Sequence, residues 1–202
     1  MLEPLHLTDA LKGYTYDQDK LLTPTETIRR VRPITRVLVA ATSGSKAQEF
    51  AKWVVETTGL SAERGAPEEV SAADVIAACT TSPTPVVVDE AVRPGAHVNA
   101  VGAFTPSTRE LPSALVLRAG VYVDTRAGAL SEGGDLILAG VQQVRGELGE
   151  VLLGTAPGRQ SADEVTVYKS VGAAFLDAAT ARLAYDAAAK QGVGTVYEFS
   201  TE

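Results

Sequence analysis

The chain has 202 residues, 45% of them hydrophobic and 21% charged, and 18 basic against 25 acidic side chains leave a net charge of −7. Such a composition describes a globular chain with a core and sets aside the disordered, fibrous and membrane classes. The acidic excess argues against a nucleic-acid or anionic-membrane partner, because the densest basic cluster, Arg29, Arg30, Arg32 and Arg36, is short and interrupted. One cysteine, Cys79, and two histidines are too few for a disulfide or a Cys/His metal site. No apolar run approaches the roughly 18 residues that cross a bilayer, and Glu3 and His6 stand where a signal peptide would be basic and then apolar. A reducing cytoplasm is the expected location.

Residues 1–33 carry little periodicity and are expected to form an irregular N-terminal segment. The apolar, β-branched run 36–41 predicts a strand buried on both faces of a parallel sheet. The polar turn 42–45 then supplies a helix cap, and Ala47, Phe50, Ala51, Val54 and Val55 share one face of a helix that Gly59 ends. Further strands are predicted at 74–79, 85–88, 97–102, 121–124 and 165–168, with helices around 147–153 and over 172–190. This alternation predicts an α/β fold, a mostly parallel sheet with helices on both faces.

Sheets of that kind bind ligands beyond the carboxyl ends of their strands. Here those loops are 42–45, 80–84, 103–109, 125–134 and 169–172, rich in Ser, Thr and Gly. Hydroxyls and exposed backbone amides suit phosphate and ribose groups, though the same residues also cap helices and build turns in any α/β protein. The sequence holds no G-x-G-x-x-G after a strand, no P-loop and no G-x-S-x-G elbow. Asp89 and Glu90 are adjacent on a loop and expected to diverge, His97 at a strand start is expected to be structural, and Asp135 is expected to cap the helix before Leu136.

Several stretches in order carry a resemblance: Asp74-Val75-Ile76; Thr80-Thr81-Ser82-Pro83; Pro94-Gly95-Ala96-His97-Val98-Asn99-Ala100-Val101-Gly102; Arg109-Glu110-Leu111; Val123-Asp124; Ser131-Glu132-Gly133-Gly134-Asp135; and Tyr168-Lys169-Ser170-Val171-Gly172. Together they resemble the ornithine cyclodeaminase/mu-crystallin family from about Val31 to the C-terminus. The resemblance implies a Rossmann-like NAD(P)-binding domain over 34–170 and a C-terminal helix and tail, 171–202, that returns toward a substrate and dimerisation domain. It also implies hydride transfer between a nicotinamide and the α-carbon of a small-molecule amino acid, imine or ketimine, and it allows a homodimer. Thr80, Thr81 and Ser82 would then lie along the cofactor, Val101 and Gly102 beside the nicotinamide, and Lys169, Ser170 and Gly172 near its carboxamide. Thr42, Ser43 and Lys46 would meet the adenosine ribose, and the lack of an acid over 41–46 favours NADP over NAD.

Two departures from the family pattern bear on activity. Where the cyclodeaminases carry a catalytic Asp, two residues past the Asn-Ala-Val-Gly segment, this chain has Phe104, so no catalytic residue is assigned. The family's N-terminal substrate domain and the first strand with its glycine turn are expected to be lacking before Arg29. Three readings follow: an NAD(P)-dependent reductase or dehydrogenase domain, a non-catalytic nucleotide- or partner-binding remnant, and an ornithine cyclodeaminase.

Overall fold

The structure, a computed structural model, describes residues 28–195 and Tyr197. Internal contacts divide the chain into two units, residues 16–172 and residues 1–15 with 173–202. Most of the predicted N-terminal segment, residues 1–27, lies outside the described residues.

In the first unit, β1 (Arg36–Val39), α1 (Gly44–Thr58) and β2 (Ser61–Arg64) make one strand–helix–strand step. Ser43 caps α1, its hydroxyl accepting from the Lys46 N–H, and Gly59 ends the helix at φ 72°, in the left-handed region that favours glycine. Ala47, Ala51 and Val54 are buried as their spacing predicts, whereas Val55 is 43% exposed at the rim of that face. The short helix α2 (Pro67–Ser71) leads to β3 (Val75–Ala78), and β4 (His97–Ala100) follows a single 3-10 turn at Asp89–Ala91. Beyond it come α3 (Ser113–Arg118), β5 (Gly120–Val123), α4 (Arg126–Glu132), α5 (Gly134–Ile137), β6 (Gly146–Glu147), α6 (Leu148–Leu152) and β7 (Thr166–Lys169).

Among the described residues the strands form two all-parallel sheets, β1–β2 and β3–β4–β7–β5–β6. All four residues of β5 are buried, so both faces of the larger sheet are covered, as parallel pairing through helical crossovers requires. Ile76, Val98, Val123, Val167, Leu111, Leu115 and Leu136 share one core, and Val39, Ala47 and Ala51 a smaller one. Each fully buried Leu or Val of this kind contributes roughly 1.5–3 kcal/mol.

Two expectations are corrected and one strand is added: β1 is not buried on both faces, since Arg36 is exposed and only Val39 is buried. Residues 85–88 are not a strand: Val86 and Val87 donate their N–H groups to the Glu110 carbonyl and Val88 donates to the Ser71 hydroxyl, so the donors of this stretch serve loops instead of a ladder. Conversely, β2 has no apolar run, yet it pairs with β1 through register Arg36↔Ser61 to Val39↔Arg64, and Arg36 and Glu63 meet across the pair at 2.5 Å.

In the second unit the described element is α7 (Ala174–Gln191), ended by Gly192 at φ 65°. Its helicity follows from Ala-rich composition and is helped by an Arg182–Asp186 pair one turn apart. Phe175, Leu176, Leu183 and Tyr185 are all exposed on it.

Candidate functional site

Register determines which loops meet. Ala78, Ala100, Lys169, Val123 and Glu147 lie side by side as the last row of the larger sheet. The chain leaves the sheet from all five at one edge, so residues 80–82, 101–102, 124–125 and 170–172 are brought together there. The ladder reaches slightly past the strands, with Val101 N–H donating to the Ala78 carbonyl and Ser170 N–H to the Ala100 carbonyl.

Three acids organise this edge from below. Glu110, fully buried, accepts the Thr80 N–H on one carboxylate oxygen and the Gly102 N–H, at 2.7 Å, on the other. One side chain thereby joins the loops after β3 and β4. Asp124 accepts the Thr125 N–H on Oδ1, and on Oδ2 it accepts the Ser170 hydroxyl and the N–H groups of Val171 and Gly172 at 2.7–2.9 Å. Burial first, and then that carboxylate, which also shapes the loop after β7, push the Tyr168 hydroxyl above its usual range. Asp135 accepts from the backbone N–H groups of Glu110 and Leu111 at 2.7 and 2.8 Å. The expected helix cap is therefore corrected: Gly133 is the N-cap of α5, without a side-chain bond, and Asp135 serves a neighbouring loop.

Fit is close at Gly102. A Cβ there would lie 2.0 Å from the Thr80 carbonyl oxygen, so the two loops touch through backbone alone. Val101 beside it is 41% exposed and Phe104 is 60% exposed, giving the edge an apolar surface next to peptide groups. On Thr80, Oγ1 accepts the Ser82 N–H, and the Ser82 hydroxyl donates to the Thr84 carbonyl, which folds this loop on itself. Lys169 differs from the other site residues: its side chain is wholly buried, with Nζ 3.0 Å from Asp135 Oδ2 in an ion pair that lacks a well-aligned hydrogen bond. At this position only the backbone of Lys169 borders the edge.

Thr42, Ser43 and Lys46 stand past the end of β1, in the other sheet. The Ser43 and Ser45 hydroxyls are 2.8 Å apart, and the guanidinium of Arg64, from the end of β2, lies against Gly44, within 2.6–3.2 Å of where a Cβ would stand. Sequence alone does not point to Arg64, because only pairing of β1 with β2 brings it to that turn. His97 lies at the opposite, amino edge of the larger sheet with Nδ1 2.8 Å from the Thr166 hydroxyl, and burial lowers its pKa from 6.5. Asp89 pairs with Arg118 at 2.7 Å. Among the described residues no group of His, Cys, Asp and Glu is arranged to hold a metal ion.

The sequence pattern of the ornithine cyclodeaminase/mu-crystallin family matches residues 20–192. The chain belongs to this family. Across 86% of its length it is 38% identical to a Delta(1)-pyrroline-2-carboxylate reductase of Bacillus cereus, covering 56% of that protein. Over 59% of its length it is 45% identical to the ketimine reductase mu-crystallin of Macropus fuliginosus, of which it covers 37%. In fold it is similar to Thermococcus litoralis Delta(1)-pyrroline-2-carboxylate reductase, solved in complex with NADH and L-proline, with a TM-score of 0.81, 35% identity, and coverage of 87% of this chain and 57% of that one. The chain thus spans about half the length of the relatives it matches, and within that span it carries the family's Rossmann-like α/β sheet.

Proposed function

We propose that this chain is the nicotinamide-binding part of an NAD(P)-dependent oxidoreductase that moves a hydride to or from the α-carbon of a small imine, ketimine or amino acid. The observation that carries the reading is the joined edge itself: three loops, after β3, β4 and β7, present hydroxyls, peptide groups and an apolar residue at one place. A flat ring needs an apolar wall such as Val101, and a carboxamide needs peptide donors and acceptors such as those of residues 169–172. Thr80, Thr81 and Ser82 would hold the cofactor along its length, and Gly102 would let it approach the backbone. When bound, the nicotinamide supplies the hydride, and the chain's part is to orient it. The side chain of Lys169, being buried, would act there through the backbone alone.

Phe104 can neither give nor take a proton, which favours reduction of an imine or oxidation of an amine over cyclodeamination of ornithine. The cytoplasm remains the proposed compartment; among the described residues no helix is long and apolar enough to cross a membrane. NADP is the proposed preference. No acid lies between residues 40 and 48, and the hydroxyls of Thr42 and Ser43, with Lys46 and the Arg64 guanidinium, suit a 2′-phosphate.

Titration of the full chain with NADPH and NADH, followed by nicotinamide fluorescence, tests both points. Binding of NADPH ahead of NADH is expected, and Arg64→Ala should remove most of that difference, about tenfold for one charge-assisted contact. No binding of either at millimolar concentration overturns the reading. A second reading, a partner-binding remnant, draws on the exposed Phe175, Leu183 and Tyr185 of α7, which would equally support a homodimer.

A further inference from the structure

Below the edge, out of reach of any ligand, three ionisable side chains are completely buried: Glu110, Asp135 and Lys169. They come from three different places, the loop before α3, the second residue of α5 and the last residue of β7, and they form a continuous line. Lys169 Nζ faces Asp135 Oδ2; Asp135 Oδ1 accepts the N–H of Glu110; and the Glu110 carboxylate accepts the N–H groups of Thr80 and Gly102. Burying three such groups is expensive unless each is matched by charge or hydrogen bonds. An apolar core could have covered the same area, so the arrangement calls for an explanation beyond packing.

We infer that Glu110 is a positioning residue: held by the Asp135–Lys169 pair, it fixes the two peptide groups of Thr80 and Gly102 against each other and so sets the seat of the nicotinamide ring. The inference rests on the reading of this edge as a nicotinamide site. Three features support it. Glu110 has no contact with the outer surface, yet it holds the backbone on both sides of the close approach between Thr80 and Gly102. Gly102 leaves no slack there, since even a methyl group would strike the Thr80 carbonyl. Asp135 is itself wedged, because the preceding Gly134 packs so tightly that a Cβ would lie 1.9 Å from the Thr108 carbonyl oxygen. A displacement of Glu110 would therefore pass to the loops above it and not be absorbed below.

The line acts on one end of the dinucleotide. Thr42, Ser43 and Arg64 belong to the end of the other sheet, whose strands are not laddered to the larger one, so cofactor affinity should divide into a part that senses Glu110 and a part that does not. Glu110→Gln keeps size but replaces one acceptor oxygen by an NH2 donor, so that one of the two peptide N–H groups faces another donor.

Two measurements on the full chain test this: hydrogen exchange at the Thr80 and Gly102 amides, and the affinities of NADH and of ADP-ribose, which lacks the nicotinamide. In Glu110→Gln, exchange at one or both amides should rise about tenfold while that of α1 is unchanged, and NADH should weaken about tenfold while ADP-ribose changes less than about twofold. Equal weakening of the two ligands, or unchanged exchange at both amides, overturns the inference. If wild-type chain binds ADP-ribose but gains nothing from the nicotinamide of NADH, the site reading fails instead, whatever the variant does. Should Glu110→Gln not fold, Glu110→Asp replaces it: one methylene shorter, it keeps the charge and reaches only one amide, so protection should be lost at one of the two and retained at the other. Loss at neither overturns the proposal.

Discussion

Lys169 shows how far a residue's role can depart from its chemical type. A lysine that follows a tyrosine and precedes Ser-Val-Gly suggests a cation offered to a ligand, but its side chain turns into the core and meets Asp135. Removing one partner of such a pair leaves the other charged and buried, at a cost of about 3–5 kcal/mol. Lys169→Met should therefore lower stability by about that amount in urea unfolding. Adding Asp135→Asn should recover most of the loss, because the amide oxygen still accepts from the N–H groups of Glu110 and Leu111 while the uncompensated charge is gone. If the double variant is no more stable than the single, the charge is not what the pair contributes.

Between elements, the most defined polar tie joins α4 to α6. The Arg126 guanidinium donates to both oxygens of Glu150 at 2.8 and 2.6 Å, and the Glu147 N–H donates to the same carboxylate. These bonds hold the Glu150 carboxyl at about 2, below its ordinary 4.5, with the Arg126 bond the largest cause. Because the folded value is the lower one, the stabilisation is present above pH 4.5 and is lost as pH falls toward 2. Acid unfolding of Arg126→Met should accordingly show a smaller loss of stability over that window than the parent chain, compared by urea midpoints at about pH 6 and about pH 3. The pair is only partly buried and the effect should shrink in high salt.

Elements differed in how plainly the sequence announced them, for physical reasons. β3 is a short apolar run, β4 and β7 mix apolar with polar residues before a Gly or Ser turn, and α1 bears both a capping serine and a terminating glycine, so local chemistry and final structure agree there, whereas β1, read as buried on both faces, keeps Arg36 exposed. β2 could not be read, since its Ser-Ala-Glu-Arg run gains its strand character only from pairing with β1. Residues 85–88 misled in the opposite sense, being β-branched yet committed to loop hydrogen bonds with Glu110 and Ser71. The loops that meet at the carboxyl edge of the larger sheet were legible because parallel sheets place them at strand ends. Glu110 and Asp124 were legible only as members of a family pattern, and Asp135 only as a helix cap, for an acid reveals its partners only after loops far apart in sequence have met.

At the scale of the molecule, α7 is polar only in part and exposes Phe175, Leu176, Leu183 and Tyr185. Apolar side chains of that size in water favour association. Sedimentation should find the chain self-associating at micromolar concentration, and Phe175→Glu with Leu183→Glu should shift it to monomer; a strictly monomeric parent would oppose both the homodimer and the partner-binding reading. A second whole-molecule property follows from the strand order. Among the described residues β3 is laddered only to β4, and β1 only to β2. Among the described residues the other flank of β3 has no ladder partner, and Val75, Ile76, Ala77 and Ala78 place no charged side chain within the strand. Peptide groups carry no label of origin, and an unpaired strand flank pairs with a foreign backbone as readily as with its own.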